Sequence, residues 1–463
     1  MDASYLFAKN FIETPFSKLP AEAVKEAKNQ VLDFIGVALA GSSKAGANEL
    51  YELYAEWGGA PQATVFGRGD KLPAPHAAQI NATMGHSLDY DDVHEAATMH
   101  PGVVTITTAL ATGELIGGLS GQKFLQAVAV GGDMISRLGL ATRPGQNIHK
   151  FGWHFTTLKG FMVSAAVTAY LLGLDEEKIV SAVGIGYHQC SGNGQAVKDG
   201  VLTKRMGPGF AVKGGMTAAL LAQKGVTGAR GALEGISGYY NVYHQGSYSH
   251  DILVGELGEK FEGMNITIKP YPCCRGVHPF IDAALEIRQK YGVKPEDVKS
   301  IMIWCGKGTQ GLLGEPLEHK AHPRSPVDSQ FSVPWGVAVS LSRGRPGLND
   351  YTEEAIKSRD ILDMAAKISL AYDPELDSTG LEPARVAVTA NDGKSYSAHV
   401  EIATGSPGNM LSFDDVEQKF RDCVKQADRR ISDANTDAII GFVQEIDTAA
   451  DVRDLLKLLL WES

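Results

Sequence analysis

The segment from His86 to Gly102 concentrates more proton chemistry than any other part of this 463-residue chain. Imidazole titrates near neutral pH and a carboxylate changes its pKa with burial, so histidines and aspartates placed together can supply both an acid and a base. Three of each fall within fifteen positions here: His86, Asp89, Asp91, Asp92, His94 and His100. Among them, Asp89 and His100 are the predicted acid–base or substrate-binding residues.

The other acidic residues of this segment have a simpler interpretation. Runs of like charge most often form solvated helix ends or loops. We therefore expect Asp91, Asp92 and Glu95 to face solvent.

A metal site is the alternative use of such a cluster, because histidine and aspartate are common ligands. His86 and His94 are eight positions apart and His94 and His100 six apart, so the compact helical His-x-x-x-His spacing is missing. We expect no metal. The remote alternative is a metal-dependent hydrolase with the ligands His86, Asp89, Asp92 and His100.

The acidic composition narrows the class of protein. A formal net charge of −11 argues against a nucleic-acid-binding surface, which would carry a basic patch. If the substrate is itself anionic, the few cationic groups must be concentrated in one pocket. The five cysteines, including the vicinal Cys273 and Cys274, suggest no disulfide framework and are expected to be reduced.

The chain shows no features of a targeting or membrane-spanning sequence. Its first ten residues lack a basic region followed by a long apolar core, and no apolar stretch approaches the roughly 18 residues that a span requires. We therefore expect a cytoplasmic protein with no membrane partner.

The elements that position the histidine segment are predicted to be helices. From about Leu19 to Gln223 the sequence shows helical patterns rich in Ala and Gly, and residues 413–461 return to an amphipathic helical pattern. The chain is therefore predicted to be mainly α, with its large all-helical domain formed by both chain ends.

A smaller domain is predicted to interrupt the helical one. Residues 265–270 and 298–304 have strand patterns, residues 278–291 form a helical one, and residues 385–402 indicate a hairpin around Asn391-Asp392-Gly393. These elements predict an inserted α+β lid domain. The predicted domains are residues 1–265 and 405–463 for the helical part and residues 266–404 for the lid.

Two helix entries outside the opening segment carry polar side chains. His154 follows Gly-Trp and precedes an apolar run, which could place it at a helix N-terminus where the dipole lowers its pKa; a packing role is the open alternative. Lys204, Arg205 and Lys213 surround Gly-Pro208-Gly, which we interpret as a helix entry forming an anion subsite, or else an ordinary basic loop.

Two further segments could line a pocket. In Lys269-Pro-Tyr-Pro-Cys-Cys-Arg275-Gly-Val-His278, paired prolines stiffen the backbone, Arg275 can bind a carboxylate with two hydrogen bonds, and His278 opens the next helix. The sequence Phe-Ser-Val-Pro-Trp335 resembles a helix entry that could form a pocket wall.

The order of these motifs identifies a family. No P-loop, Cys-x-x-Cys pair or Gly-x-Ser-x-Gly motif supports a phosphate-binding loop, an iron–sulfur cluster or a serine nucleophile. The motifs present are His-x-Leu-Asp-x-Asp-Asp…His-Pro, a histidine before a helix, Thr-Lys ahead of Lys-Gly, Lys-Pro-Tyr-Pro…His-Pro, Phe-Ser-x-Pro and the Asn-Asp-Gly hairpin. In this order they resemble the MmgE/PrpD family over nearly the whole chain.

The resemblance implies both an architecture and a class of reaction. The family includes 2-methylcitrate dehydratase, cis-aconitate decarboxylase and iminodisuccinate epimerase. A member is expected to have a large helical domain, an α+β lid, a cleft between them and a homodimeric assembly, and to need neither metal nor organic cofactor. The pocket residues that the resemblance implies are Asp89, His100, His154, Lys204 and His278.

We accordingly predict a lyase, a dehydratase or decarboxylase, that moves a proton beside a carboxylate of a small di- or tricarboxylic acid such as cis-aconitate or 2-methylcitrate. An epimerase of the same family is the close alternative, because a carboxylate-stabilised carbanion serves all three reactions.

The residues have predicted roles. Lys204, Arg275 and Lys269 would hold carboxylates of this small anionic partner. His100 or His154 would move the proton. Asp89 would orient an imidazole or a cation. His278 would serve as a second acid or as a ligand for the developing enediolate.

Two predicted substrate-binding positions depart from the decarboxylase pattern. Val93 stands where the decarboxylase members have threonine, and Trp335 where they have tyrosine, so two hydroxyl groups are missing. The segment from Asp89 to His100 is one residue longer than expected. The charged residues are unaffected, and His100, His154, Lys204 and His278 are predicted to meet in one cleft.

Overall fold

The computed structural model describes residues 1–142, 152–199, 201–377 and 383–461. Within these ranges the protein is mainly α-helical, with two small sheets, which confirms the predicted fold class. Among the described residues, no helix is both long and apolar enough to cross a membrane.

The chain forms two compact units. Unit 1 comprises Met1–Ser87, Asp91–Ile266 and Ser412–Ser463, and unit 2 comprises Leu88–Tyr90 and Thr267–Leu411. The three residues Leu88–Tyr90 therefore belong to unit 2, although both of their flanks belong to unit 1. Neither unit is a continuous piece of chain.

Unit 1 is built almost entirely of helices, with one two-stranded antiparallel sheet of β1 (Ala63–Thr64) and β2 (Lys71–Leu72). Its helices are α1 Ala3–Glu13, α2 Ala21–Ala40, α3 Ala47–Trp57, α4 Ala74–His86, α5 Pro101–Leu115, α6 Gly121–Leu140, α7 Phe155–Leu171, α8 Glu176–His188, α9 Gln195–Lys198, α10 Thr203–Gln223, α11 Tyr239–His244, α12 His250–Val254, α19 Phe413–Lys425, α20 Asp433–Gln444 and α21 Arg453–Leu458.

Helices α5 and α7 lie at the centre of unit 1. Every residue of α7 and residues 101–113 of α5 are buried, as expected for helices that are apolar on all sides. Helix α10 packs against α7 and α4. Glycines permit this close approach, because a Cβ at Gly207 would collide with Thr157, and one at Gly209 with the backbone of Gln79.

Unit 2 contains a four-stranded mixed sheet in the order β4-β3-β5-β6. The strands are β3 Val298–Cys305, β4 Ile368–Tyr372, β5 Ala384–Ala390 and β6 Ser395–Val400. Only the β3–β4 pair is parallel. The unit's helices are α13 His278–Tyr291, α14 Lys307–Thr309, α15 Leu317–Ala321, α16 Pro326–Gln330, α17 Val333–Arg343 and α18 Arg359–Ala365.

Most local predictions for unit 2 are confirmed. Helix α13 has the predicted bounds, β3 extends the predicted strand by one residue, and β5 and β6 form the predicted hairpin. The strand predicted for residues 265–270 is wrong. Glu262–Asn265 form a 3₁₀ turn, and the extended residues that follow are outside the sheet, since Pro270 and Pro272 cannot donate to a strand ladder.

Candidate active site

Three helix ends bring three histidines together in unit 1. His86 is the last residue of α4, His100 is the N-cap of α5, and His154 is the N-cap of α7, as predicted for His154. The rings of His86 and His100 are 4.7 Å apart and meet edge to face, and the rings of His86 and His154 are 5.9 Å apart. The helix ends therefore build a compact imidazole cluster from distant parts of the sequence.

Asp91 is the carboxylate that joins two of these rings. Its Oδ2 lies 2.7 Å from Nδ1 of His86 and 3.3 Å from Nδ1 of His100. Burial alone would raise the pKa of Asp91, but the imidazoles of His100 and His86 hold it well below its usual range. Asp91 is thus an anionic bridge. The expectation that it faces solvent is wrong, because only 1% of it is exposed.

The neighbouring Asp92 has the opposite electrostatic character. It is also buried, contrary to expectation, and both of its carboxylate oxygens accept from the backbone N–H of Gly102, at 3.0 and 3.1 Å. Burial, with Asp91 and Asp33 nearby, raises its pKa well above the usual range. Glu95, the third residue expected to face solvent, is half-buried.

The backbone of Asp92 sets the protonation of His100. Nδ1 of His100 lies 2.7 Å from the carbonyl oxygen of Asp92, and a carbonyl only accepts, so this nitrogen carries a proton. In the neutral ring, Nε2 is then the basic nitrogen. The backbone N–H of His100 donates to Thr156 in the first turn of α7, at 3.0 Å. His100 is therefore held by the carbonyl of Asp92, by Thr156 and by Asp91, while its side chain remains 14% exposed.

His86 and His154 are kept neutral. Burial, opposed by Asp91, lowers the pKa of His86 to about 4. Burial also lowers the pKa of His154 well below its usual range, assisted by the positive charge of Lys204. Nδ1 of His154 lies 2.7 Å from Oγ1 of Thr157. Sequence reasoning attributed a lowered pKa at His154 to the helix dipole, but burial is the larger cause.

Lys204 lies in the first turn of α10 and is half-buried. The predicted helix entry at Pro208 is wrong, because α10 begins at Thr203 and Pro208 lies inside it. The nearby Lys213 forms a different contact, because its Nζ donates to the hydroxyl of Tyr54 at 2.9 Å. Of the cations in this segment, Lys204 is the one whose charge acts on His86 and His154.

Asp89 lies in unit 2, where it is paired with Lys269. Nζ of Lys269 donates to the carbonyl oxygen of Asp89 at 2.8 Å and lies 3.5 Å from Oδ2 of the same residue. Both side chains are buried. The backbone of Asp89 has φ of 52°, in the left-handed region. Within unit 2, Asp89 thus contacts a cation, one of the two groups it was predicted to orient.

The other two residues of the Leu88–Tyr90 segment are also bonded to unit 2. Nε2 of Gln330 donates to the carbonyl of Leu88 at 2.7 Å and to that of Pro272 at 3.1 Å. The hydroxyl of Tyr90 donates to the carbonyl of Pro270 at 3.1 Å. Every residue of this segment therefore has its own attachment.

The remaining predicted residues of unit 2 are buried as well. Arg275 donates to the hydroxyl of Ser406. His278 opens α13 as predicted, and its Nε2 donates to the carbonyl of Cys273 at 3.2 Å. The predicted convergence of His278 with the histidines of unit 1 stays a prediction.

The two positions that depart from the decarboxylase pattern are both apolar and buried. Trp335 lies in the core of unit 2 with no exposed surface, and its indole N–H donates to the carbonyl of Asp350 at 3.0 Å. Val93, in unit 1, is 8% exposed. A substrate contact by either residue stays a prediction.

Among the described residues, His86, Asp91 and His100 also form a group that could hold a metal ion, with ligand atoms within 4.8 Å of one another. This set differs from the predicted one, in which Asp89 and Asp92 took the place of Asp91. Sequence reasoning missed Asp91 because an acidic run usually faces solvent. The apolar helices on both sides of the segment were the signal that it would be buried.

Comparison with known proteins agrees with the family resemblance. The model of the MmgE/PrpD N-terminal domain matches residues 6–250, and that of the MmgE/PrpD C-terminal domain matches residues 271–444. The chain belongs to the MmgE/PrpD family.

Its relatives in this family include proteins of fungal and mammalian origin. The chain is 26% identical to the cis-aconitate decarboxylase-like protein oryM of Aspergillus oryzae, over 96% of this chain and 95% of the relative. It is 26% identical to cis-aconitate decarboxylase of Aspergillus terreus, over 95% and 92%. It is 24% identical to cis-aconitate decarboxylase of Homo sapiens, over 95% and 91%.

Proposed function

We propose that this protein is a lyase that transfers a proton beside a carboxylate of a small di- or tricarboxylic acid, with cis-aconitate as the first substrate to test. The observation that carries the proposal is the Asp91 carboxylate, which holds the imidazoles of His86 and His100 in the unit that also contains His154 and Lys204. Relatives that span nearly the same length are cis-aconitate decarboxylases, which supports this class of reaction.

In this proposal His100 delivers the proton. Its Nδ1 is bonded to the carbonyl of Asp92 and lies 3.3 Å from Asp91, so the Asp91 carboxylate lies next to the ring that carries the proton during transfer. A ring fixed at Nδ1 presents Nε2 to a substrate. The partial exposure of His100 gives that nitrogen access, whereas the fully buried His86 serves to position Asp91.

His154 is the candidate base. A depressed pKa keeps its imidazole neutral at pH 7, so it can accept a proton. The charge of Lys204, which contributes to that depression, is also suited to bind a substrate carboxylate. One lysine can thus fix the substrate and keep the base neutral.

The same two histidines can carry out the proton transfers of both candidate reactions. In a decarboxylation, the bond between the carboxylate carbon and the skeleton breaks, CO₂ leaves, and His100 protonates the carbon that keeps the electron pair. In a dehydration, His154 removes the proton beside a carboxylate and His100 protonates the departing hydroxide. Neither sequence of steps calls on a metal or an organic cofactor.

The predicted roles of unit 2 belong to the same proposal. Lys269, positioned by Asp89, and Arg275 would bind further carboxylates, and His278 would act as a second acid. The homodimer and a cytoplasmic location are proposed on family resemblance, and light scattering of the purified protein tests the first.

The proposal is tested by incubating the enzyme with cis-aconitate and 2-methylcitrate in deuterated water and following the products by NMR and mass spectrometry. We expect loss of CO₂ or of water from one substrate, with solvent deuterium at the carbon beside the carboxylate in the decarboxylation product. The matched control is His250→Ala, which removes a surface histidine far in sequence from the cluster. Deuterium exchange or racemisation of a dicarboxylate without any loss of mass would favour the epimerase instead.

A further inference from the structure

A buried hydroxyl lies next to the ring of His154. Nδ1 of His154 is 2.7 Å from Oγ1 of Thr157, which is three residues later in the first turn of α7. Thr157 is only 3% exposed, whereas His154 is half-buried. Among the described residues, Thr157 is the one side chain that forms a hydrogen bond with this imidazole. The hydroxyl therefore holds one ring nitrogen and leaves the other, Nε2, as the nitrogen that can react.

His154 does not use its side chain as an N-cap residue usually does. An N-cap side chain normally accepts from a backbone N–H in the first turn of the helix, whereas the ring of His154 caps none. The backbone N–H of His154 donates to the carbonyl of Gly192 at 3.2 Å, and its carbonyl accepts from the N–H of Leu158 at 3.0 Å. The backbone is thus fixed at both of its polar groups, and the bond to Thr157 restrains what remains free, the rotation of the ring.

The Thr157 side chain is itself enclosed by two glycines. A Cβ at Gly207 of α10 would collide with Oγ1 of Thr157 and would lie 3.3 Å from Nδ1 of His154, so α10 packs directly against the bond between these two residues. A Cβ at Gly192 would lie 2.7 Å from Cβ of Thr157. Both backbones therefore approach Thr157 more closely than any residue with a side chain could, and in a close-packed interior this restricts its hydroxyl to the side of His154.

We propose that Thr157 is a positioning residue, whose hydroxyl oxygen accepts from Nδ1–H of His154 and thereby makes Nε2 the basic nitrogen of the ring. This inference rests on the proposed function, in which His154 accepts a proton. A neutral imidazole carries one proton, so a proton on Nδ1 leaves the lone pair on Nε2. When Nε2 takes up the substrate's proton, Nδ1 remains a donor, and the bond to Thr157 is kept throughout the transfer.

The two histidines of the proposed mechanism are then held in the same way by different groups. Nδ1 of His100 donates to the backbone carbonyl of Asp92 at 2.7 Å, and Nδ1 of His154 lies at the same distance from the Thr157 hydroxyl. No side-chain substitution removes a backbone carbonyl, whereas a threonine hydroxyl can be replaced by a methyl group of similar size. Thr157 is therefore the position at which this kind of support can be tested.

The first measurement needs no substrate. In the whole protein, isotope-labelled at the histidine nitrogens, NMR at about pH 7.5 is expected to show a protonated Nδ1 and an unprotonated Nε2 for His154. The signals of His154 are identified as those that His154→Gln removes. Thr157→Val should shift the ring towards the other tautomer, and Thr157→Ser, which keeps the hydroxyl, should not. An unprotonated Nδ1 in the unchanged protein, or the same nitrogen signals in Thr157→Val, would overturn the positioning role and leave the proposed function untouched.

The second measurement is turnover of the substrate. Thr157→Val should lower kcat by roughly 10- to 100-fold and leave KM within about threefold, because the ring loses its orientation while Lys204 is unchanged. Thr157→Ser should restore kcat to within about threefold of the unchanged protein. The matched control is Thr168→Val, a buried threonine roughly three turns further along α7 whose hydroxyl lies 3.5 Å from that of Thr112. This variant should keep the kcat and KM of the unchanged protein.

The outcomes separate the inference from the proposed function. If Thr157→Val changes the nitrogen signals but keeps full turnover, the role of His154 as the base is wrong while its positioning by Thr157 stands. If Thr157→Ser fails to restore kcat, or Thr168→Val loses as much activity as Thr157→Val, the effect is one of packing and the positioning role is overturned. Circular dichroism establishes that each variant compared is folded.

Discussion

The substitution Asp91→Asn tests whether the Asp91 carboxylate bridges His86 and His100. The asparagine amide keeps the shape of the side chain but loses the negative charge that contacts the two imidazoles. Each charge-assisted hydrogen bond contributes about 1.5–3 kcal/mol. Of the two imidazoles that Asp91 contacts, His100 is the proposed proton donor, at 3.3 Å, so about 1.5–3 kcal/mol of stabilisation of its developing positive charge is at stake. At about 1.4 kcal/mol per tenfold change, kcat should fall by roughly 10- to 100-fold.

The adjacent residue provides the matched control. Asp92 is equally buried, but its pKa is raised rather than lowered, and its side chain accepts from the backbone N–H of Gly102. An asparagine amide at this position keeps an oxygen for that bond. Asp92→Asn should therefore cost about 1 kcal/mol of stability and change kcat by less than roughly tenfold.

The assay is steady-state turnover of the substrate identified above, with kcat and KM determined separately and the melting temperature of each variant recorded. A folded Asp91→Asn enzyme with the kcat of the unchanged protein would refute the bridging role. Equal losses in the two variants would show that the segment is merely sensitive to substitution.

Three further predictions follow from the same structure. Lys204→Met should raise KM by about 30-fold, for a contact of about 2 kcal/mol, whereas Lys213→Met on the same helix should not. Because the Lys204 charge helps lower the pKa of His154, its removal should raise that pKa and move the acid limb of the kcat profile to higher pH; an unmoved limb contradicts this assignment. His278→Ala should lower kcat strongly in a protein with a normal circular dichroism spectrum, and full activity would remove His278 from the mechanism. Exhaustive chelation should leave activity within roughly a factor of two, and loss of activity that one divalent ion restores would favour the metal-dependent alternative.

The helices and the hairpin could be predicted because their signals are local. Apolar periodicity marked the helices of unit 1, such as α2, and the Asn391-Asp392-Gly393 turn marked the hairpin. Likewise, His154 and His278 could be placed at helix starts from the residues beside them.

The contacts between carboxylates and histidines in the candidate site could not be predicted from local sequence signals. The segment from Asp89 to Met99 is irregular, with left-handed backbone at Asp89 and Thr98, so no periodicity shows which carboxylate turns towards which histidine. The helix start predicted at Pro208 was wrong for a different reason. A proline usually lies at the start of a helix, but α10 begins at Thr203 and contains Pro208 in its interior.

The three-residue segment Leu88–Tyr90 has a consequence for how this protein can be recombined with its relatives. A chimera that exchanged residues 267–411 alone would take Lys269 and Gln330 from one parent and Asp89 and Leu88 from the other. The exchanged unit would then keep these contacts only if both parents had matching residues at these positions. Exchanging residues 88–90 together with residues 267–411 would preserve them, while His86 and Asp91 stayed with the parent that supplies the imidazole cluster.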